Sequence, residues 1–322
     1  MAAGRYRVRS AQPAPESLVD PLHAPEQTHP MTNLLFDKDR SAEIVAASFA
    51  GTPDPRLREI MTSLVTHVHA FVKDVRLTAE EWEAGIRFLT ETGQMCDETR
   101  QEFILLSDTL GVSMLVESLA NSVHGDLTEA TVEGPFHVVE SPARELGADI
   151  NGAGGPGEPC VVTGRVLDAD GAPVAGATLD VWQADADGFY DVQKPAETGP
   201  GDLRGLFTTD AHGRYWFRTI VPSHYPIPAD GPVGRMLRST GRHEWRPAHI
   251  HVEVSAPGLR SVTTHVFVKD SPYLDSDTVF GVKESLVRDF SRVDDEEEAA
   301  AYDVPNPFRT VDFVVVLEKE ES

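Results

Sequence analysis

Hydrophobic positions follow two rhythms along this chain, and the change falls near residue 151. Between residues 55 and 124 they recur every three or four places, as in Leu57, Ile60, Met61, Leu64, Val68 and Phe71. That spacing matches the 3.6-residue turn of an α-helix and predicts helices with one apolar face. Two later segments open with Thr78-Ala-Glu-Glu81 and Thr99-Arg-Gln-Glu102. In such patterns a hydroxyl and a carboxylate satisfy the unbonded amides at a helix start. Three helices are expected in all. The last runs from 102 to 119 and buries Phe103, Leu105, Leu106, Leu110, Met114, Leu115 and Leu119, with Asp108 as the polar exception.

Past the glycine-rich joint Asn151-Gly-Ala-Gly-Gly-Pro-Gly157 the pattern shortens into brief β-like runs at 161–167, 177–183, 214–220, 249–255, 262–268 and 312–317. Turns of the form Asp-Ala-x-Gly punctuate them at Asp168–Gly171, Asp185–Gly188 and Asp210–Gly213. Short strands at this spacing predict a sandwich, so the expected class is α+β: a mostly-β sandwich preceded by a helical layer or dimerising arm. Residues 1–35, Pro-rich and polar, read as a disordered extension, with Met31 an alternative start. Residues 36–135 read as the helical region and 136–322 as the sandwich. The acidic run Asp294–Glu298 reads as a solvated loop.

Charge narrows the function. The 322 residues carry 28 Lys plus Arg against 52 Asp plus Glu, a net charge of −24, which repels nucleic acid and anionic membrane. No run reaches membrane-spanning length, and residues 11–30 lack the apolar core of a secretory signal. Two distant cysteines, Cys96 and Cys160, form no disulfide framework and fit a reducing cytoplasm.

Candidate chemistry centres on Arg246-Pro247-Ala248-His249-Ile250-His251. Alternate strand residues share a face, which puts His249 and His251 side by side, roughly 6.5 Å apart at Cα. A second His-x-His, His67 and His69, lies in a helical stretch where residues two apart diverge. Tyrosines stand beside the turns: Tyr190 past a strand end, and Tyr225 in a proline-pinned loop, Val221-Pro-Ser-His-Tyr-Pro-Ile-Pro228. Other readings stay open on these residues alone. The pattern over 161–184 also suits a non-catalytic, transthyretin-like binding sandwich, and zinc is a third possibility, disfavoured by the absence of His-Glu-x-x-His.

Four blocks in order, Gly134-Pro-Phe136-His137, Asp180-Val-Trp-Gln-Ala-Asp185, Leu203-Arg-Gly205 and Arg246-Pro-Ala-His-Ile-His251, resemble the intradiol ring-cleaving dioxygenases over residues 40–320, the hydroxyquinol and catechol 1,2-dioxygenase branch above all. The resemblance implies a non-haem ferric ion, Fe(III), held by Tyr190, Tyr225, His249 and His251. It implies O2-dependent opening of a 1,2-diol ring, with Tyr225 receiving a diol proton and Arg246 facing the ring. Leu105, Asp108, Val132, Ile227, Pro228, Arg246 and Val279 match the residues that line the pocket in the hydroxyquinol branch. There an acidic Asp108 would accept a hydrogen bond from a third hydroxyl, making hydroxyquinol the first expected substrate, then catechol and chlorocatechols. His265 stands where catechol-cleaving relatives often have glutamine. The resemblance further implies a homodimer joined through the N-terminal helices, with a phospholipid at the interface.

Overall fold

The computed structural model of the 322-residue chain describes residues 35–97, 100–121, 126–137, 141–152, 154–194 and 201–320. They fall into two compact units that divide between Thr90 and Glu91.

The first unit holds α1 (Ser41–Ala47), α2 (Pro55–Val75) and most of α3 (Ala79–Gln94). Asp54 starts α2 by accepting the amides of Arg56 and Leu57 at 2.8 and 3.3 Å, with Pro55 in the first helical position, where a missing N–H costs nothing. The expected reciprocal cap opens α3: the Glu81 amide donates to Thr78 Oγ1 at 3.2 Å, and Thr78 N donates to Glu81 Oε2 at 2.9 Å. The His-x-His of α2 does not converge, because His67 Nδ1 meets the Ser63 carbonyl while His69 Nδ1 meets Ser41 Oγ.

The second cap differs from expectation. Thr99 lies outside the described residues, and Glu102 instead takes Arg100 at 2.9 Å and the Val233 amide at 3.1 Å. The single helix expected over 102–119 is two, α4 (Glu102–Thr109) and α5 (Val112–Ala120), bent by 78°. Gly111 sits between them at φ +72°, a left-handed backbone that ends one helix while leaving a glycine unstrained.

The sandwich belongs to the second unit. Its strands are β1 (Pro159–Asp168), β2 (Thr178–Gln183), β3 (Arg204–Thr208), β4 (Arg214–Ile220), β5 (Tyr225–Pro226), β6 (Trp245–Arg246), β7 (His249–Ala256), β8 (Leu259–Val268), β9 (Val287–Arg288), β10 (Ser291–Val293) and β11 (Phe308–Leu317). One sheet runs β10-β11-β1-β4, the other β3-β2-β7-β8-β9, and β5-β6 form a separate ribbon. The runs at 161–167, 177–183, 214–220, 249–255, 262–268 and 312–317 thus lie on strands, save Ala177, which precedes β2. β3, β5, β6, β9 and β10 have no counterpart in the expectation, and the last four, at two or three residues each, are too short to show a period. The three Asp turns share one geometry: each aspartate Oδ1 accepts the amides two and four residues on. The acidic run is corrected from loop to helix: Asp295 caps α6 (Glu296–Tyr302), and Glu296, Glu297 and Glu298 fill its first turn, where the helix dipole favours negative charge.

Val162, Val166, Phe217, Phe313 and Val315 of one sheet close the core against Leu179, Val181, Ile250, Val252, Val254 and Val266 of the other. Because side chains alternate, burying Ile250 and Val252 turns His249 and His251 to the opposite face of β7. The same parity turns Asp180 and Trp182 outward on β2. The site is built on that outer face.

Candidate metal centre and active site

Register decides who meets whom. Trp182 of β2 lies opposite His251 of β7, which lies opposite His265 of β8. His249 Nδ1 donates to the Pro247 carbonyl at 2.7 Å, which leaves its Nε2 as a bare acceptor, and that atom sits 3.1 Å from His251 Nε2. Both rings are buried, and burial pushes their pKa values well below 6.5, with the Arg246 charge adding to the effect. Two neutral imidazoles therefore bring their Nε2 atoms to one place.

The tyrosines arrive from two turns. In the Asp185 turn, Gly188 has φ +84°, and a Cβ there would meet the His224 carbonyl at 2.8 Å and Tyr225 Cβ at 3.2 Å, so glycine lets this turn close on the Tyr225 segment. Tyr190 follows it and heads a short 3-10 turn over Asp191–Gln193. Tyr225, expected in a loop, pairs as β5 with β6, directly opposite Arg246. The phenol rings are 5.2 Å apart between centroids, Tyr225 is 5.4 Å from His249, and Tyr190 is 6.2 Å from His251. Tyr190 is fully buried. Burial raises its pKa well above 10, the neighbouring Tyr225 phenol adds to this, and its hydroxyl lacks a well-formed hydrogen bond.

Arg246 is buried too, at 1% exposure, and Asp277 holds it from one side: Nε donates to Oδ1 at 3.1 Å and Nη2 to Oδ2 at 3.2 Å. Such a fork fixes the guanidinium plane. The remaining nitrogen, Nη1, then reaches Tyr225 Oη at 3.4 Å and His249 Nε2 at 3.5 Å. Asp277 also accepts the amides of Val279 and Gly281 at 3.3 and 2.9 Å. Nothing in a hydrophobic period singles out Asp277. It takes the amides two and four residues on, as the aspartates of the three interstrand turns do, but its glycine stands four residues on and not three, so the Asp-Ala-x-Gly pattern does not find it.

The residues matched to a substrate pocket lie on α4 and on the segments that carry Thr131, Tyr225 and Asp277. Leu105 and Asp108 share one face of α4 and are buried at 7% and 5% exposure. Burial raises the Asp108 pKa; a Ser113 hydrogen bond and the Arg246 charge pull it back, and Asp277 pushes it up. Asp108 therefore lies within electrostatic reach of both. Val279, buried, follows Asp277. Ile227 is buried two residues past Tyr225 with its amide on the Glu244 carbonyl at 2.9 Å, and Pro228 after it is half-buried. Val132 is buried beside Thr131, whose hydroxyl bonds His265 Nδ1.

His265 is fully buried, its ring 4.2 Å from His251 and 4.6 Å from His249, and its Nε2 has no hydrogen-bond partner among the described residues. His249, His251 and His265 bring one donor atom each within 4.8 Å of one another, so the cluster could hold a metal ion. Two phenols beside neutral imidazoles suit a hard cation of high charge, because only a strong positive charge displaces a proton from a phenol that burial keeps neutral. The donor set fits a metal.

Comparison with known proteins agrees. Residues 132–319 match a family model described as "Dioxygenase", and residues 54–126 match "Catechol dioxygenase N terminus". The chain is 52% identical over 283 residues to the hydroxyquinol 1,2-dioxygenase of Rhizobium sp. (strain MTP-10005), covering 88% of this chain and 96% of that one. It is 53% identical over 275 residues to the 6-chlorohydroxyquinol 1,2-dioxygenase of Cupriavidus pinatubonensis, covering 84% and 98%. The solved structure of hydroxyquinol 1,2-dioxygenase from Pseudomonas putida DLL-E4 superposes with a TM-score of 0.82 at 48% identity, covering 88% of this chain and 99% of that one. A family match across most of the sandwich, with this identity over nearly nine-tenths of the chain, makes the protein a member of the intradiol ring-cleaving dioxygenases.

Proposed function

We propose that this dioxygenase opens the ring of hydroxyquinol (1,2,4-trihydroxybenzene) between its adjacent hydroxylated carbons. Both atoms of O2 enter the product, 3-hydroxy-cis,cis-muconate, which tautomerises to maleylacetate. The observation that carries the chemistry is the convergence of Tyr190, Tyr225, His249 and His251 beside a buried, oriented Arg246. Members of this family use non-haem iron, and we assign Fe(III) to those four side chains. Bound there, the ferric ion supplies Lewis acidity that makes the substrate's hydroxyls easier to ionise.

The protein's own groups do the rest. His249, with its Nδ1–H committed to the Pro247 carbonyl, offers only a lone pair. Tyr225, whose hydroxyl accepts from Arg246 Nη1, is the base that receives a diol proton. Arg246, permanently charged, stabilises negative charge that builds on the ring, and its orientation comes from Asp277 before any substrate arrives. Leu105, Val132, Ile227, Pro228 and Val279 line the ring's apolar edges and exclude water.

Asp108 sets the preference for a third hydroxyl. A buried carboxylate loses hydration, and hydroxyquinol repays part of that loss with a hydrogen bond that plain catechol lacks. Catechol and chlorocatechols, which would give cis,cis-muconates, rank behind it. Family membership sets aside the non-catalytic binding module. On this reading residues 36–135 serve assembly and 136–322 chemistry, with α4 lending Leu105 and Asp108 to the pocket. The exposed apolar residues Leu64, Val68 and Phe71 of α2 and Trp82 and Ile86 of α3 support a homodimer joined there, with a phospholipid among those side chains. Among the described residues no single helix is long and apolar enough to cross a membrane.

Oxygen uptake with hydroxyquinol, catechol and chlorocatechol side by side, with iron counted per chain, tests the assignment. The highest kcat/KM is expected for hydroxyquinol. An iron-loaded protein that consumes no O2 with any diol refutes the reaction, and equal or better turnover of catechol refutes the substrate.

A further inference from the structure

A metal-holding histidine ordinarily donates its second ring N–H to a carboxylate or carbonyl, which fixes the ring's rotation. His249 does this through Pro247. His251 does not: its Nδ1 is buried and has no hydrogen-bond partner among the described residues. What touches the ring instead is aromatic. The Trp182 indole lies parallel to it, 8° between planes and 4.6 Å between centroids, because the two residues face each other across β2 and β7. The indole's own N–H is also buried with no hydrogen-bond partner among the described residues, so Trp182 meets His251 through a flat face and not through a hydrogen bond.

The segment Gly134–His137 closes over this pair, each of three residues against a different ring. Gly134, at φ +79°, comes so near that a Cβ would stand 3.0 Å from His251 Cε1. Phe136 stacks on Tyr190 at 4.5 Å between centroids. His137 packs on Trp182 at 4.7 Å and is itself anchored, with Nδ1 2.7 Å from Glu133 Oε1 and Nε2 3.5 Å from Asp180 Oδ2 and 3.8 Å from Glu253 Oε2. Asp180 and Glu253 are themselves a cross-strand pair, one rung from Trp182 and His251 on the same outer face.

We infer that Trp182, braced by His137, is the positioning residue for His251, orienting its ring by stacking where a hydrogen bond to Nδ1 would otherwise do so. This rests on the metal assignment proposed above. It accounts for two blocks of sequence that the reaction itself leaves unused, Gly134-Pro-Phe-His137 and Asp180-Val-Trp182.

The test compares Trp182→Leu, which keeps apolar bulk but has no flat face, with Trp182→Phe, which keeps one. Each is loaded with ferric iron, checked for fold by circular dichroism, and followed for iron per chain and for the visible tyrosinate band during challenge by a chelator. Loss of a group that orients a metal ligand typically lowers metal affinity 10–100-fold. The Leu variant should therefore lose iron at least ten times faster than the wild-type protein, and the Phe variant within about threefold of it. Wild-type retention in a folded Leu variant, or a Phe variant no better than Leu, overturns the inference. Gly134→Ala presses on the same ring from a loop without emptying the core; it should also shed iron about tenfold faster, and wild-type retention there counts against the inference equally. Iron missing from the wild-type protein itself would instead defeat the metal assignment.

Discussion

Removing the Asp277 carboxylate should be the most revealing single change in this protein. Arg246 is 1% exposed and Asp277 5%, and the two share two hydrogen bonds at 3.1 and 3.2 Å. Asp277→Ala leaves a guanidinium buried without its counter-charge and frees the amides of Val279 and Gly281. Breaking a buried pair from one side costs about 3–5 kcal/mol, whereas replacing both members costs far less because no orphan charge remains. In a double-mutant cycle on the metal-free protein, measured by equilibrium unfolding in urea, Asp277→Ala should lose that amount. Adding Arg246→Ala should restore part of it, giving a coupling of about 2–3 kcal/mol. Iron-loaded Asp277→Asn, which keeps the shape but not the charge, should lower kcat/KM by about 10–100-fold, mainly in kcat, because Arg246 is then free to turn from Tyr225 and the ring. Additivity within about 0.5 kcal/mol, or an Asn variant with unchanged kcat, would show that Arg246 is oriented without Asp277.

Four further outcomes are expected. Asp108→Ala should reduce kcat/KM with hydroxyquinol about tenfold or more and with catechol much less; equal losses would remove Asp108 from substrate choice. Tyr190→Phe should weaken iron retention and shift the visible band, while His265→Gln should keep both, since its Nδ1 bonds Thr131 and glutamine can replace that partner; iron loss in His265→Gln would make it a ligand. The fourth concerns pH. Burial alone would depress the His137 pKa, but the neighbouring carboxylates of Asp180 and Glu133 raise it from 6.5 to about 9. Protonation therefore favours the fold, a contribution complete below about pH 6.5 and lost as pH rises through about 9. It amounts to about 3 kcal/mol at 1.36 kcal/mol per pH unit. The stability gap between the wild-type protein and His137→Gln should shrink by that much between pH 6 and pH 10, and a gap independent of pH would show that His137 is neutral in the fold.

The runs with a clear period were legible before any coordinates: the amphipathic face of α2, the cap at Thr78, six strand positions and the shared face of His249 and His251. Errors gathered where one residue's backbone, not a pattern, decides. Gly111 splits a continuous apolar run into α4 and α5 by adopting a left-handed conformation. Asp295 converts an acidic run into a helix by capping it. Strands of two or three residues such as β5 and β9 exist only because another segment pairs with them.

The histidine pair was a local fact of the chain, since β parity alone turns both rings to one side. The partners of that pair were not local. Trp182 and His265 reach His251 through strand register, Tyr225 reaches Arg246 through a two-residue ribbon, and Asp277 reaches Arg246 across 31 residues of sequence. Composition and period determine which face of each segment is apolar, because that depends on the segment's own side chains; whether the face is buried does not follow, since Leu64, Val68, Phe71, Leu115 and Leu119 are exposed. Which buried polar groups then face each other depends on how segments far apart in the chain pack, and only the tertiary structure decides that.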